Sequence, residues 1–127
     1  MLKRLPHHPA TESTFRQASE ILECDISELD SEAALESTVA VQLSLFIAGV
    51  AVARALEAEQ VLPAAVAGLS VGAFAAAVVC HSLTFADGIA VVKQRAQLME
   101  TSFPSGYGMS AIVEMCIRDR ATPELKI

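Results

Sequence analysis

The sequence predicts an α/β fold in which a parallel sheet presents a serine at a strand end, and three observations carry that reading. A Gly-x-Ser-x-Gly pentapeptide, Gly68-Leu69-Ser70-Val71-Gly72, stands between two apolar runs of different character. The run before it, Val61-Leu62-Pro63-Ala64-Ala65-Val66-Ala67, reads as a short buried strand led in by a proline; the run after it, Ala73 to Cys80, reads as a tightly packed helix. Further along, Pro104, Gly106 and Gly108 mark a turn ahead of Met109-Ser110-Ala111-Ile112-Val113, a second candidate strand.

A serine on a sharp strand-to-helix turn is a nucleophile elbow. Its backbone is expected to be strained, at a cost of about 1–3 kcal/mol, which lifts the hydroxyl clear of both elements. Gly68 and Gly72 read as positions where a Cβ would crowd the turn. The helix brings its positive end to the same place, so the Val71 N–H is the candidate oxyanion donor beside the candidate nucleophile Ser70.

The other elements follow in order. Thr11 or Ser13 can cap a first helix in which Phe15, Ala18, Ile21 and Leu22 recur at helical spacing. Asp25 to Glu36 reads as a connector with a short helical turn. Ser37-Thr38 caps a second helix, Val39 to about Glu57, apolar nearly all round and therefore packed inside a larger body. Thr84-Phe85-Ala86-Asp87 is a capping-box-like start to a further helix ending near Thr101.

Within that last helix, at about 100° per residue, Leu98, Val91, Met99, Val92, Ala96 and Ile89 fill one continuous arc. Arg95 falls inside it. Either its guanidinium snorkels out from the edge of the core or it meets an anion, because an unpaired charge on an apolar face is costly. The sharper reading is a guanidinium fork gripping a substrate carboxylate near Ser70.

Composition bounds the function. The chain has 127 residues, enough for one domain at most, and is 53% hydrophobic with a formal net charge of -6. Glu20, Glu23, Asp25, Glu28, Asp30, Glu32 and Glu36 follow one another with no base between them, which argues against a nucleic-acid partner and reads as a solvated face. Cys24, Cys80 and Cys116 form no C-x-x-C pair, so a reducing compartment is the default. No signal peptide is visible, and the apolar stretch Val39 to Ala53 falls short of the ~20 residues that span a bilayer. No membrane partner, no metal and a soluble, cytoplasmic protein are the expectation.

With Ser70 and Arg95 in hand, the chain resembles the malonyl-CoA:acyl carrier protein transacylase family from about Met1 to Val113. Ala65-Val66-Ala67-Gly68-Leu69-Ser70-Val71-Gly72-Ala73-Phe74 and Gly106-Tyr107-Gly108-Met109 are most similar to the malonate decarboxylase epsilon branch, and Leu69, where many fatty-acid-synthesis members carry histidine, favours that branch. The resemblance implies Ser70 as nucleophile, the Val71 N–H as oxyanion donor and Arg95 as the malonyl carboxylate ligand. Gln42, in Val41-Gln42-Leu43, matches a glutamine near the family's site; a satisfied buried amide is the plainer reading of it. Malonyl-CoA is then the substrate, acyl carrier protein the partner, and no cofactor stays bound.

Two features of the family are expected to lie outside the chain: a Gly-Gln-Gly loop carrying the second oxyanion donor, ahead of Met1-Leu2, and a catalytic histidine beyond Ile127. His81 stands eleven positions after Ser70, about 15 Å away if the intervening residues are helical, too far to be the base. His7 and His8 read as exposed loop residues. Met115-Cys116-Ile117-Arg118-Asp119-Arg120 is what the mosaic-end oligonucleotide of tagmentation sequencing libraries encodes in one frame. The expected division is therefore a partial acyltransferase domain, 1–114, and an adaptor-derived tail, 115–127. Two rival readings stand: an α/β-hydrolase-type esterase, which shares the elbow but has no use for Arg95, and a truncated product without activity.

Overall fold

The computed structural model describes residues 1–102. The candidate strand at Met109–Val113, the Gly106–Met109 motif and the tail 115–127 lie outside the described residues. Among the described residues there are four α-helices: α1 (Pro9–Leu22), α2 (Thr38–Ala58), α3 (Gly72–Val79) and α4 (Phe85–Ser102). Two 3-10 turns, Ile26–Asp30 and Ala34–Glu36, occupy the predicted connector, and a third, Leu2–Arg4, precedes α1.

The helix starts show why these residues fold as they do. α1 begins at least three residues earlier than expected, with Pro9 in the first turn and His8 rather than Thr11 or Ser13 as its cap; His8 Nδ1 accepts from the Ala10 N–H at 3.1 Å. Thr11 and Thr14 are buried instead. α2 is capped as expected, Ser37 Oγ accepting from the Val39 N–H at 3.2 Å. At α4 the predicted box forms: Thr84 Oγ1 accepts from the Asp87 N–H at 3.1 Å and donates to the Asp87 carboxylate at 2.6 Å.

α2 is the centre of the fold, touching α1, α3, α4 and both connector turns. Phe46, Ile47 and Val50 from α2 meet Ile89 and Val92 from α4 in a fully buried core, with the Phe46 and Phe85 rings stacked 5.7 Å apart. α2 runs 21 residues, longer than the stretch Val39 to Ala53, and is long and apolar enough by composition to cross a bilayer; half of its most apolar window is buried inside this fold. α2 and α4 run antiparallel, since Thr38 meets Glu100, Gln42 meets Arg95 and Met99, and Phe46 meets Phe85. They approach closely at Gly88, where a Cβ would stand 2.5 Å from Phe46 Cζ.

The predicted strand does not form. Residues 61–67 are exposed, without a partner ladder, and there is no strand among the described residues. A strand exists only through hydrogen bonds to a neighbour, and the described residues offer this one no second extended segment. Val61 and Leu62 are consequently 55% and 70% exposed, and an apolar cavity of about 790 Å³ opens between this segment, α2 and α3. The parallel sheet of the α/β expectation is thus not met within residues 1–102.

Candidate active site

The elbow is present in its backbone. Ser70 has φ 54°, the left-handed region that a non-glycine residue occupies only under constraint. The chain turns there from the extended segment directly into α3: the Gly72, Ala73 and Phe74 N–H groups donate back to the carbonyls of Leu69, Ser70 and Val71. Gly68 is required as expected, because a Cβ on it would lie 2.1 Å from the Gly72 carbonyl oxygen. Gly72 is not: a Cβ there meets nothing within 4 Å, since the residue is the first of α3 and faces open space. Among the described residues the Val71 N–H stands outside the set of amides that bond back into the turn.

Arg95 reaches the elbow from α4. Its Nη2 donates to Ser70 Oγ at 3.1 Å, and its Nη1 donates to the Gln42 carbonyl oxygen on α2. Three residues from separate elements, spaced 28 and 25 positions apart in sequence, therefore converge on one point. Gln42 is only 7% exposed, yet both ends of its carboxamide are engaged, the NH2 donating to Met99 Sδ at 3.5 Å. Gln42 is thus a satisfied buried amide, and what satisfies its carbonyl oxygen is Arg95.

The apolar arc on α4 is narrower than its periodicity suggested. Phe85, Gly88, Ile89, Val92 and Ala96 are buried, whereas Val91, Leu98 and Met99 are 41%, 59% and 36% exposed. Arg95 lies half-buried at the border between the two sets, with its guanidinium beside the exposed Ser70. Leu69, immediately before Ser70, is 87% exposed. An exposed serine hydroxyl with a guanidinium at hydrogen-bond distance, one amide N–H at a helix start and no competing carboxylate on Arg95 among the described residues makes a site for an anionic group.

Among the described residues, no proton acceptor stands at hydrogen-bond distance from Ser70 Oγ; its one side-chain partner is Arg95. Arg95 has donors only. His81 sits beyond the far end of α3, exposed, in the left-handed conformation with its N–H closing the helix onto the Val78 carbonyl. His8 is at the start of α1, where besides its cap it faces Glu59 Oε1 across 3.3 Å, so it is a tied, partly buried residue rather than a free loop histidine.

Met99 and Glu100 are the two neighbours the sequence did not single out. Met99 accepts from Gln42, and Glu100 Oε1 accepts from the Ser37 hydroxyl and the Thr38 N–H. These contacts join residues 57 to 63 positions apart, so nothing in the local pattern of α4 announces them.

Residues 9–125 match the model of the acyl transferase domain. The chain belongs to the acyl transferase family. Among its relatives, the malonyl CoA-acyl carrier protein transacylase of Salmonella typhimurium is 34% identical over 112 residues, 84% of this chain and 36% of that protein. The transacylase of the same name from Bacillus subtilis is 32% identical over 111 residues, 84% of this chain and 35% of that protein. A mycocerosic acid synthase-like polyketide synthase of Mycolicibacterium smegmatis is 33% identical over 116 residues, 87% of this chain and 5% of that much longer protein. The chain thus spans about a third of the length of the transacylases it matches, and the turn at Ser70, with the residues of α2 and α4 that surround it, falls inside the residues matched by the acyl transferase domain model.

Proposed function

We propose that this chain carries the acyl-binding part of a malonyl-transfer centre, in which Ser70 takes malonyl from malonyl-CoA and passes it to the thiol of an acyl carrier protein. The observation that carries the reading is the fork of Arg95, held by Gln42 on one side and aimed at Ser70 Oγ on the other. A simple esterase acting on neutral esters has no task for a half-buried cation hydrogen-bonded to its nucleophile; a substrate ending in a free carboxylate does.

In the proposed sequence Ser70 Oγ attacks the thioester carbonyl, and the Val71 N–H faces the oxygen that gains charge. The tetrahedral intermediate collapses with loss of the coenzyme A thiolate, leaving malonyl-Ser70, and the carrier thiol then attacks that ester to regenerate the serine. Throughout, Arg95 pairs with the distal carboxylate. Coenzyme A enters and leaves as part of the substrate, so no resident cofactor or metal is needed, and substrates of this kind suit a cytoplasmic protein. The proton of Ser70 must be taken by a residue outside 1–102, and the second oxyanion donor must also come from elsewhere. We therefore infer that residues 1–102 are not sufficient for turnover. Leu69 ahead of the nucleophile supports a role in charging the carrier of a malonate decarboxylase.

The test is to graft residues 9–102 into the Salmonella typhimurium transacylase in place of the matching segment and to measure malonyl and acetyl transfer to a carrier protein. Arg95→Ala should cut malonyl transfer by at least about tenfold, the loss of one charge-assisted interaction, and leave acetyl transfer equal or improved. Equal loss for both acyl groups would make Arg95 a structural residue and end the malonyl reading.

A further inference from the structure

The first turn of α2 is closed by a residue from another helix. Glu100 Oε1 accepts from the Thr38 N–H at 2.9 Å and from the Ser37 hydroxyl at 3.0 Å, while Ser37 Oγ itself accepts from the Val39 N–H. A carboxylate here also lies at the positive end of α2. A cap drawn from its own strand of chain would order α2 alone. A cap drawn from α4 additionally fixes how the last turn of α4 sits against the first turn of α2, and a last turn is the part of a helix that frays unless something holds it.

What that turn carries is the support of the site. Met99 adjoins Glu100 and gives the Gln42 NH2 its acceptor; one turn of α2 beyond Thr38, Gln42 offers its carbonyl oxygen to Arg95. A carboxamide can face a guanidinium with either end, and only the carbonyl end accepts. With Met99 Sδ opposite the NH2, the orientation that serves Arg95 is the one in which both ends are engaged.

We propose that Glu100 is a positioning residue for carboxylate recognition: its bonds to the first turn of α2 hold Met99 against Gln42, so that Gln42 presents its carbonyl oxygen to Arg95 and the fork stays aimed at Ser70. The inference rests on the malonyl reading above, and the experiment separates the two. Equilibrium binding of malonyl-CoA and of acetyl-CoA to the 127-residue chain is measured by calorimetry, with helical circular dichroism and the thermal midpoint recorded on each sample. The ratio of the two dissociation constants isolates the carboxylate, because the coenzyme is common to both.

The unaltered chain should favour malonyl-CoA by about tenfold or more. Glu100→Ala should remove most of that preference with acetyl-CoA binding changed by no more than about twofold, and Glu100→Gln, which keeps the Oε1 acceptor, should stay within about twofold of the unaltered ratio. Thr38→Pro removes the N–H that Glu100 accepts while placing proline at the first helical position, where it is tolerated and where the extended Ser37 before it is compatible. It should lower the preference several-fold with α2 intact, and it decides the matter if Glu100→Ala fails to fold. Asp25→Ala, which removes the cap of a connector turn away from the site, should leave the ratio unchanged. The proposal is overturned if Glu100→Ala and Thr38→Pro keep the full preference, if Glu100→Gln falls as far as Glu100→Ala, or if both coenzyme A esters weaken together. A chain with no preference to begin with would instead refute the malonyl reading itself.

Discussion

Replacing Gln42 by glutamate puts a competing carboxylate where the structure has a neutral acceptor, with almost no change of shape. Gln42 is 7% exposed and its carbonyl oxygen already accepts from Arg95 Nη1, so the new carboxylate would form an ion pair with the same guanidinium. Two unit charges at 4 Å attract by about 4 kcal/mol at an effective dielectric constant of 20, and the half-exposed position of Arg95 reduces that to about 1–3 kcal/mol. A substrate carboxylate must now share or displace that pair. Malonyl-CoA affinity should therefore fall by about 5- to 150-fold, while acetyl-CoA, which places no charge on Arg95, should bind as before. Gln42→Leu should lose most of the malonyl preference too, because it frees Arg95 from its tether, but without placing a competing charge on it. Competition calorimetry with the two coenzyme A esters reads both effects directly. A Gln42→Glu chain that retains its full preference for malonyl-CoA would show that the guanidinium facing Gln42 is not where the substrate carboxylate sits.

Other expectations come from the same geometry. Gly68→Ala forces a Cβ onto backbone atoms of Gly72 and Ala73 and should cost about 1–3 kcal/mol or more in urea unfolding, whereas Gly72→Ala, opening a helix into free space, should be neutral or stabilising by up to ~1 kcal/mol. Ser70→Gly should stabilise the fold relative to Ser70→Ala, since only glycine is free of strain at φ 54°, and both should abolish acyl capture by mass spectrometry. The Ser27 N–H holds the Asp25 carboxyl below the usual carboxylate range; the stability it adds is complete above the unfolded-chain value and lost as pH falls through the folded one. Asp25→Ala should accordingly flatten the acid limb of a stability-versus-pH curve and leave its slope near neutrality unchanged. The Ser82 side chain lowers the pKa of the exposed Cys80 thiol, so Ser82→Ala should slow its carboxymethylation near neutral pH.

The elbow was legible because it is local: a glycine that must approach backbone, a serine at positive φ and a helix start all fall within five consecutive residues. The caps of α2 and α4 were legible for the same reason, Ser37 and Thr84 each bonding within three residues of themselves. Arg95 was visible as a charge out of place on an apolar arc, although the arc proved wider in sequence than the buried face, because periodicity reports which side a residue lies on and not how far the neighbouring helix extends over it. Other features were hidden. Residues 61–67 have the composition of a buried strand, but strand formation depends on a neighbour that local sequence does not contain. The use of His8 as a cap was missed because histidine is an uncommon choice there, and Pro9 was the signal that could have given it. Met99 and Glu100 meet α2 through the antiparallel register of α2 and α4, which also sets Phe46 against Gly88 and Phe85 far from either residue.

The central claim is that the carboxylate of a malonyl group is bound by Arg95 beside Ser70, and the ionisation of that carboxylate reports it most directly. Malonyl-CoA labelled with carbon-13 at its free carboxyl can be titrated by NMR, alone and with saturating protein. A guanidinium at hydrogen-bond distance favours the charged form, so the bound carboxyl should titrate at lower pH than the free ester, and Arg95→Ala should return it to the free value. A bound carboxyl that titrates like the free one, in the presence of an intact Arg95, would contradict the claim.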